Sequence, residues 1–203
     1  MVGDFEQRVA DWAGAKYGVA TDSCTSAIFL SLQYRRFSGD YGGSFTRVEI
    51  PKHTYVSVPC QIKYTGWLPK FVDDDWIGEY ELKPMNIWDS ALRFKKGMYH
   101  GGLQCISFHI KKLLPIGRGG MVLTDDIDAR DWLRKARFDG RNPVPLLEDD
   151  FTMLGWNCYM TPEQAARGIQ LFEVMRQKYP DGMDDLVVSE QGYPDLSRYK
   201  IYT

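Results

Sequence analysis

The chain has 203 residues, 44% of them hydrophobic and 14% aromatic, enough to bury a sizeable core in one large domain. Its 25 Lys and Arg nearly balance 27 Asp and Glu, leaving a net charge of -2, so no global basic field draws nucleic acid and no polyacidic tail is present. No apolar run reaches the length of a membrane span, and the opening MVGDFEQRVADW is not a signal peptide. The four cysteines, Cys24, Cys60, Cys105 and Cys158, are widely separated with no CxxC pair, which excludes a zinc-knuckle pattern and points to free thiols in a reducing, cytoplasmic setting.

In chain order, residues 5–13 carry Phe5, Val9, Trp12 and Ala13 at helical spacing, with Asp4 as the expected N-cap and Gly14 as the stop. Residues 17–21 read as a short strand, followed by Asp22-Ser23-Cys24-Thr25-Ser26 and an apolar helix over 27–34. A strand, a hydroxyl-rich turn and a helix start together make an anion cradle, although the same hydroxyls also serve as ordinary N-caps. A glycine-rich turn over 39–43 precedes a strand at 47–50 that ends at Pro51. Tyr55, just beyond it, is either a core aromatic or a ring to stack on a flat ligand.

A helix over 58–64 and a strand over 68–72 lead to Asp73-Asp74-Asp75, read as a solvated loop and not as a metal site. Residues 85–88 form a buried strand with Asp89 directly after it, a position that α/β folds give to ligand-binding groups. Strands at 103–108 and 121–124 then flank a tip carrying Ser107, His109, Lys111 and Lys112 and the glycines Gly117, Gly119 and Gly120. Lysine amines displayed in this way can attack a carbonyl to form a Schiff base. A helix over 128–138, a turn over 139–143 and a capping box, Thr161-Pro162-Glu163-Gln164, opening a helix over 162–177 complete the elements. Beyond Tyr179 the chain is rich in Asp, Gly, Pro and Tyr and lacks periodicity. Strands alternating with helices predict an α/β fold, three-layer α/β/α, with a mostly parallel central sheet. No GxGxxG, P-loop, GxSxG or HExxH motif occurs.

The order of these pieces resembles the large domain of the DegT/DnrJ/EryC1/StrS family of PLP-dependent sugar aminotransferases, of fold type I, over residues 2–172. Ser23-Cys24-Thr25-Ser26-Ala27 is similar to the family's "SGTaAL" phosphate turn, and Pro51 through Val56 to "P.fTfva", with Tyr55 where an aromatic ring stacks on the cofactor. Trp88-Asp89-Ser90-Ala91 is similar to "EDaAq". Ser107-Phe108-His109-Ile110-Lys111-Lys112 resembles "SFhxxK", and with Gly117-Arg118-Gly119-Gly120 against "GEGG" this selects Lys112 over Lys111. Gly155-Trp156-Asn157-Cys158-Tyr159-Met160-Thr161 resembles "GyNyRmt". Leu92, Arg118 and Tyr159 stand where the family usually has Gln, Glu and Arg.

The resemblance implies a PLP-binding domain over 1–178, a tail over 179–203 in place of the family's small domain, and pyridoxal 5'-phosphate as cofactor. Lys112 would be the catalytic Schiff-base lysine and Asp89 the partner of the pyridine nitrogen, with Ala91 beside it. Ser23, Cys24, Thr25, Ser26 and Ser107 would hold the phosphate with the helix start, His109 would orient it, and Asn157 would reach the phosphate of the neighbouring subunit. The implied activity is amino transfer from an amino acid, glutamate foremost, to a nucleotide-linked keto sugar by a cytoplasmic homodimer, with no nucleic-acid or membrane partner. The alternative is a PLP-binding protein without transaminase activity of its own, a carrier or partner of a longer homologue. Family dehydratases carry histidine in place of the lysine, so Lys112 argues against dehydration.

Overall fold

The structure, a computed structural model, describes residues 1–39, 46–187 and 192–202. Apolar residues divide by parity along the strands of its main sheet. On β1 (Tyr17–Thr21) Val19 belongs to one core and Ala20 to the other; on β6 (Leu103–Ser107) Cys105 and Ile106 divide likewise, and on β7 (Gly120–Thr124) so do Val122 and Met121. Successive strand side chains point to opposite faces, so these continuous apolar runs make a sheet buried on both sides. Leu30 and Leu32 of α2 (Cys24–Ser38), Ile62 of α3 (Ser57–Tyr64) and Leu133 of α4 (Ile127–Ala136) fill the first core. Phe5, Val9 and Trp12 of α1 (Val2–Ala13) meet Phe172 and Met175 of α5 (Pro162–Lys178) in the second. There the rings of Trp12 and Phe172 meet edge-on at 5.6 Å. The result is the expected three-layer α/β/α arrangement.

The sheet is mixed rather than mostly parallel. With β4 (Tyr80–Leu82) and β5 (Ile87–Asp89), the five-stranded order is β1-β7-β6-β5-β4, and only β5 and β6 run parallel. Loop length decides this: residues 83–86 are too few for a crossover, which needs a dozen or more, so β4 and β5 can only form a hairpin. β6 and β7 are joined by a loop without a helix and are antiparallel as well. A separate parallel pair, β2 (Arg47–Pro51) and β3 (Leu68–Val72), meets β4 through one antiparallel bridge between Glu49 and Lys83.

These pairings bring the C-terminal ends of β1, β5 and β6 to one edge. Thr21 lies opposite Gly120, Gly120 opposite Ser107, and Asp89 beside Cys105. Several boundaries also differ from the sequence expectation. Helix α1 begins at Val2 with Met1 as N-cap, so Asp4 lies in its first turn and pairs with Arg8 at 3.0 Å instead of capping. Helix α2 begins at Cys24, where Ser23 caps it, and its end is closed by Gly39. Residues 40–43 of the expected glycine-rich turn lie outside the described residues. The capping box at Thr161 and Gln164 is present as read. Among the described residues beyond Lys178 the chain makes a 3-10 turn, Leu196–Arg198, and lies on the domain: the Arg93 guanidinium pairs with Asp185 at 2.7 Å, and Leu196 is 1% exposed. Among the described residues no helix is long and apolar enough to cross a membrane.

Candidate active site

A cavity of about 320 Å³ opens at the strand edge just described. Its floor is the start of α2. Ser23 accepts from the Ser26 N–H at 3.2 Å as an ordinary cap, while Cys24 and Thr25, at the first helical positions, direct N–H groups that have no intrahelical acceptor. Gly120 permits this approach, since a Cβ there would lie 2.4 Å from both the Cys24 nitrogen and the Ser23 carbonyl carbon. The Thr25 hydroxyl pairs with that of Ser57 at 2.9 Å, and Ser107 adds another hydroxyl to the lining.

Ser26, expected to bind phosphate, does not line the cavity; its hydroxyl donates to Asp22 at 2.6 Å. Arg118 in turn pairs with the other Asp22 oxygen at 2.7 Å, so the carboxylate next to the helix start is neutralised.

Asp89 and Lys112 both face this cavity. Asp89 is 4% exposed at the end of β5; the Ala91 N–H donates to one of its oxygens at 3.0 Å and the Tyr80 hydroxyl to the other at 3.1 Å. Burial raises its pKa above the ordinary carboxylate value, and those two donors and the Lys112 charge only partly offset it. Burial likewise lowers the pKa of Lys112, against the opposing pull of Asp89 and Cys24. Desolvation outweighs attraction for both groups, and among the described residues no ion pair joins them. Lys111 also borders the cavity but is exposed. Lys112 is therefore the lysine whose amine is electrostatically set apart.

The remaining expected residues divide. Tyr55 borders the mouth at 54% exposure, Ala91 lies beside Asp89, and His109 is exposed at the rim, where its Nδ1 lies 3.3 Å from the Lys111 nitrogen. Asn157 is not at this cavity; its amide donates to Asp139 at 3.0 Å on an exposed surface. Among the described residues no His, Cys, Asp and Glu cluster forms a metal site.

Sequence reading missed Tyr80, Thr54, Ser57, Trp76 and Tyr193. Tyr193 comes from the tail, its carbonyl 3.1 Å from His53 Nδ1 and its ring 6.1 Å from Tyr55. Burial and the nearby Asp89 charge push its phenol pKa up. Nothing in the local pattern of the tail marks it; only the fold brings residue 193 to residue 55.

A flat, phosphorylated pyridine fits this donor set. Hydroxyls and free helix N–H groups at one end suit a phosphate, a buried carboxylate suits a ring nitrogen, a half-buried amine suits an aldehyde, and the volume lies in the range of small-ligand sites.

The profile of the DegT/DnrJ/EryC1/StrS aminotransferase family matches residues 1–89 and 95–178. The GDP-perosamine synthase of Caulobacter vibrioides is 25% identical over 84% of this chain and 56% of its own length. The enzyme of the same name from Escherichia coli O157:H7 is 28% identical over 83% of this chain and 56% of its own length. The chain thus spans about half the length of these curated relatives. Among solved structures, Helicobacter pylori PseC, an aminotransferase involved in the biosynthesis of pseudoaminic acid, superimposes with a TM-score of 0.73 at 16% identity, over 98% of this chain and 78% of that one.

Proposed function

The chain belongs to the DegT/DnrJ/EryC1/StrS aminotransferase family, and from that premise we propose that it binds pyridoxal 5'-phosphate in the Asp89–Lys112 cavity. We propose further that it transfers an amino group from an amino acid, glutamate foremost, to a nucleotide-linked keto sugar. The observation that carries this reading is the placement of Lys112 and Asp89 in one cavity whose floor is a helix N-terminus.

Bound there, the cofactor would supply an electron sink for charge developing at the substrate's α-carbon. The chain's own residues have separate tasks. The α2 start, with Thr25, Ser57 and Ser107, would hold the phosphate. Asp89 would accept from the ring nitrogen and so favour its protonated form. Lys112 would hold the aldehyde end and, as a free amine, would move protons as a general base, a role that its lowered pKa favours. The GDP-sugar names of the relatives support the nucleotide-sugar substrate.

A homodimer accords with the surface. Leu147 is 100% exposed, Leu154 89% and Phe151 58%, on the segment leading to Asn157, and such apolar loops call for a partner. Sedimentation at micromolar concentration should give twice the chain mass; a monomer that retains full cofactor occupancy would contradict the shared site.

The test of the function is absorbance of the purified chain with added PLP, followed by transamination with glutamate and a panel of GDP- and TDP-linked keto sugars. A shifted cofactor band in the wild type, absent in Lys112→Ala, together with amino-sugar product is expected. A band without any product, restored to activity only by a longer homologue, would instead support a cofactor-binding partner subunit.

A further inference from the structure

We infer that Tyr80 is a positioning residue for Asp89, aiming that carboxylate into the cavity through a one-way hydrogen-bond relay that begins at Thr54. The inference rests on the cofactor reading above and deepens it, because neither Tyr80 nor Thr54 lines the cavity.

All three residues are buried: Thr54 is 0% exposed, Tyr80 5% and Asp89 4%. The Tyr80 hydroxyl lies 3.1 Å from one Asp89 oxygen and 2.6 Å from the Thr54 hydroxyl. A phenol has one proton, and an ionised carboxylate only accepts, so the Tyr80 proton points to Asp89. The Thr54 contact must then run from Thr54 to Tyr80. The direction of the relay, Thr54 to Tyr80 to Asp89, follows from donor count alone.

The Ala91 N–H holds the opposite Asp89 oxygen at 3.0 Å. Each oxygen retains a lone pair, so a donor from the ligand can still be accepted at the cavity face. The relay exists because β4 pairs antiparallel with β5 in a register that sets Tyr80 directly opposite Asp89. Trp76 packs against the Tyr80 ring at 4.6 Å, with its own N–H fixed on the His53 carbonyl at 3.0 Å, so the phenol is held in place.

Other charged or titratable groups also face Asp89: Glu79 next to β4, Lys112 after β6, Cys24 from α2, Cys105 from β6 and Tyr193 from the tail. None of these is altered by removing the Tyr80 hydroxyl, which makes that group separable. Burial disfavours the Asp89 charge and the Tyr80 donor favours it. Without the donor, Asp89 takes up its proton at a higher pH. A neutral Asp89 cannot form an ion pair with a protonated ring, so ligand binding should weaken earlier as the pH is lowered.

The test uses pyridoxine 5'-phosphate, which lacks the aldehyde and so binds without attaching to Lys112. Its affinity is followed by fluorescence from pH 5 to 8.5 for the wild type, Tyr80→Phe and Thr54→Val. In parallel, the Asp89 carboxyl of the ligand-free proteins is titrated by carbon NMR. Tyr80→Phe should bind about tenfold more weakly near neutral pH, the size of one lost hydrogen bond to a charged group. Its acid limb and the Asp89 titration should both move to higher pH, and Thr54→Val should move them in the same direction by less. A residue that served packing alone would lower the melting temperature and leave both midpoints in place, and that result would overturn the inference. Failure of the wild type to bind either vitamin phosphate would overturn the cofactor reading, while the Asp89 titration would still decide the role of Tyr80.

Discussion

The inner and outer walls of the cavity are held in different ways. The inner wall is made of strand ends and a helix start: Asp89 and Cys24 are buried, backed by the register of Asp89 beside Cys105 and by Gly120, whose missing Cβ lets β7 lie close to the α2 start. The outer wall is made of Tyr55, Trp76 and Tyr193, and its tail portion is tied down by the Leu196 side chain, a His53–Tyr193 contact at 3.1 Å and the Leu196 N–H on the Lys52 carbonyl at 2.9 Å. Groups that must hold a charge at a fixed place sit on the wall that cannot move without breaking the sheet. The cover at Tyr55 and Tyr193 sits on loop and tail segments held by a few contacts, and segments held in that way open locally more readily than paired strands.

If the inner wall carries the chemistry, changes there should have the largest effects. Asp89→Asn should weaken PLP binding about a hundredfold, the upper range for a charged hydrogen bond. It should also change Lys112 in a definite direction. The Asp89 charge raises the Lys112 pKa, so its removal lowers a value already depressed below 10.5 by burial. The free-amine fraction at neutral pH then rises, and the pH midpoint of amine reactivity, read with an amine-specific reagent, should fall. A midpoint moving upward would mean that the two groups do not sense each other.

Gly120→Ala tests the same wall through its backbone. The added methyl cannot fit between β7 and α2, so a destabilisation of about 1–3 kcal/mol is expected in chemical denaturation, with the phosphate contact weakened as well. Unchanged stability would show that the strand end and the helix start are further apart than described.

Leu196→Asp addresses the outer wall and should have the smallest effect. A charge at a 1% exposed site releases residues 192–202, removing the Tyr193 ring from the cavity. Loss of one aromatic contact corresponds to roughly two- to tenfold faster cofactor release, with global unfolding little changed. A collapse of global stability would place the tail in the core and erase the distinction between the walls.

The inner wall was largely legible in the sequence, and the outer wall was not. Ser23 and Asp89 sit at ends of apolar strand patterns, where a polar residue after a buried run stands out, whereas only the family resemblance separates Lys112 from Lys111. Tyr80 escaped notice because β4 is three residues long, too short to show a period. Tyr193 lies in a stretch without periodicity and reaches the cavity through contacts more than a hundred residues away in the chain. The mostly parallel sheet failed as an expectation because strand direction depends on connection length, and the four residues between β4 and β5 outweigh the general alternation of strands and helices. Asp4 lost the cap to Met1 because α1 begins earlier than its first apolar residue suggests.

The central claim is that one amine, that of Lys112, takes up the cofactor aldehyde opposite Asp89. Borohydride reduction of the PLP-treated chain, followed by peptide mass mapping, tests it most directly. A pyridoxyl mass on Lys112, with the adjacent exposed Lys111 unmodified, is the predicted result; label on Lys111, or spread over surface lysines, would contradict the account.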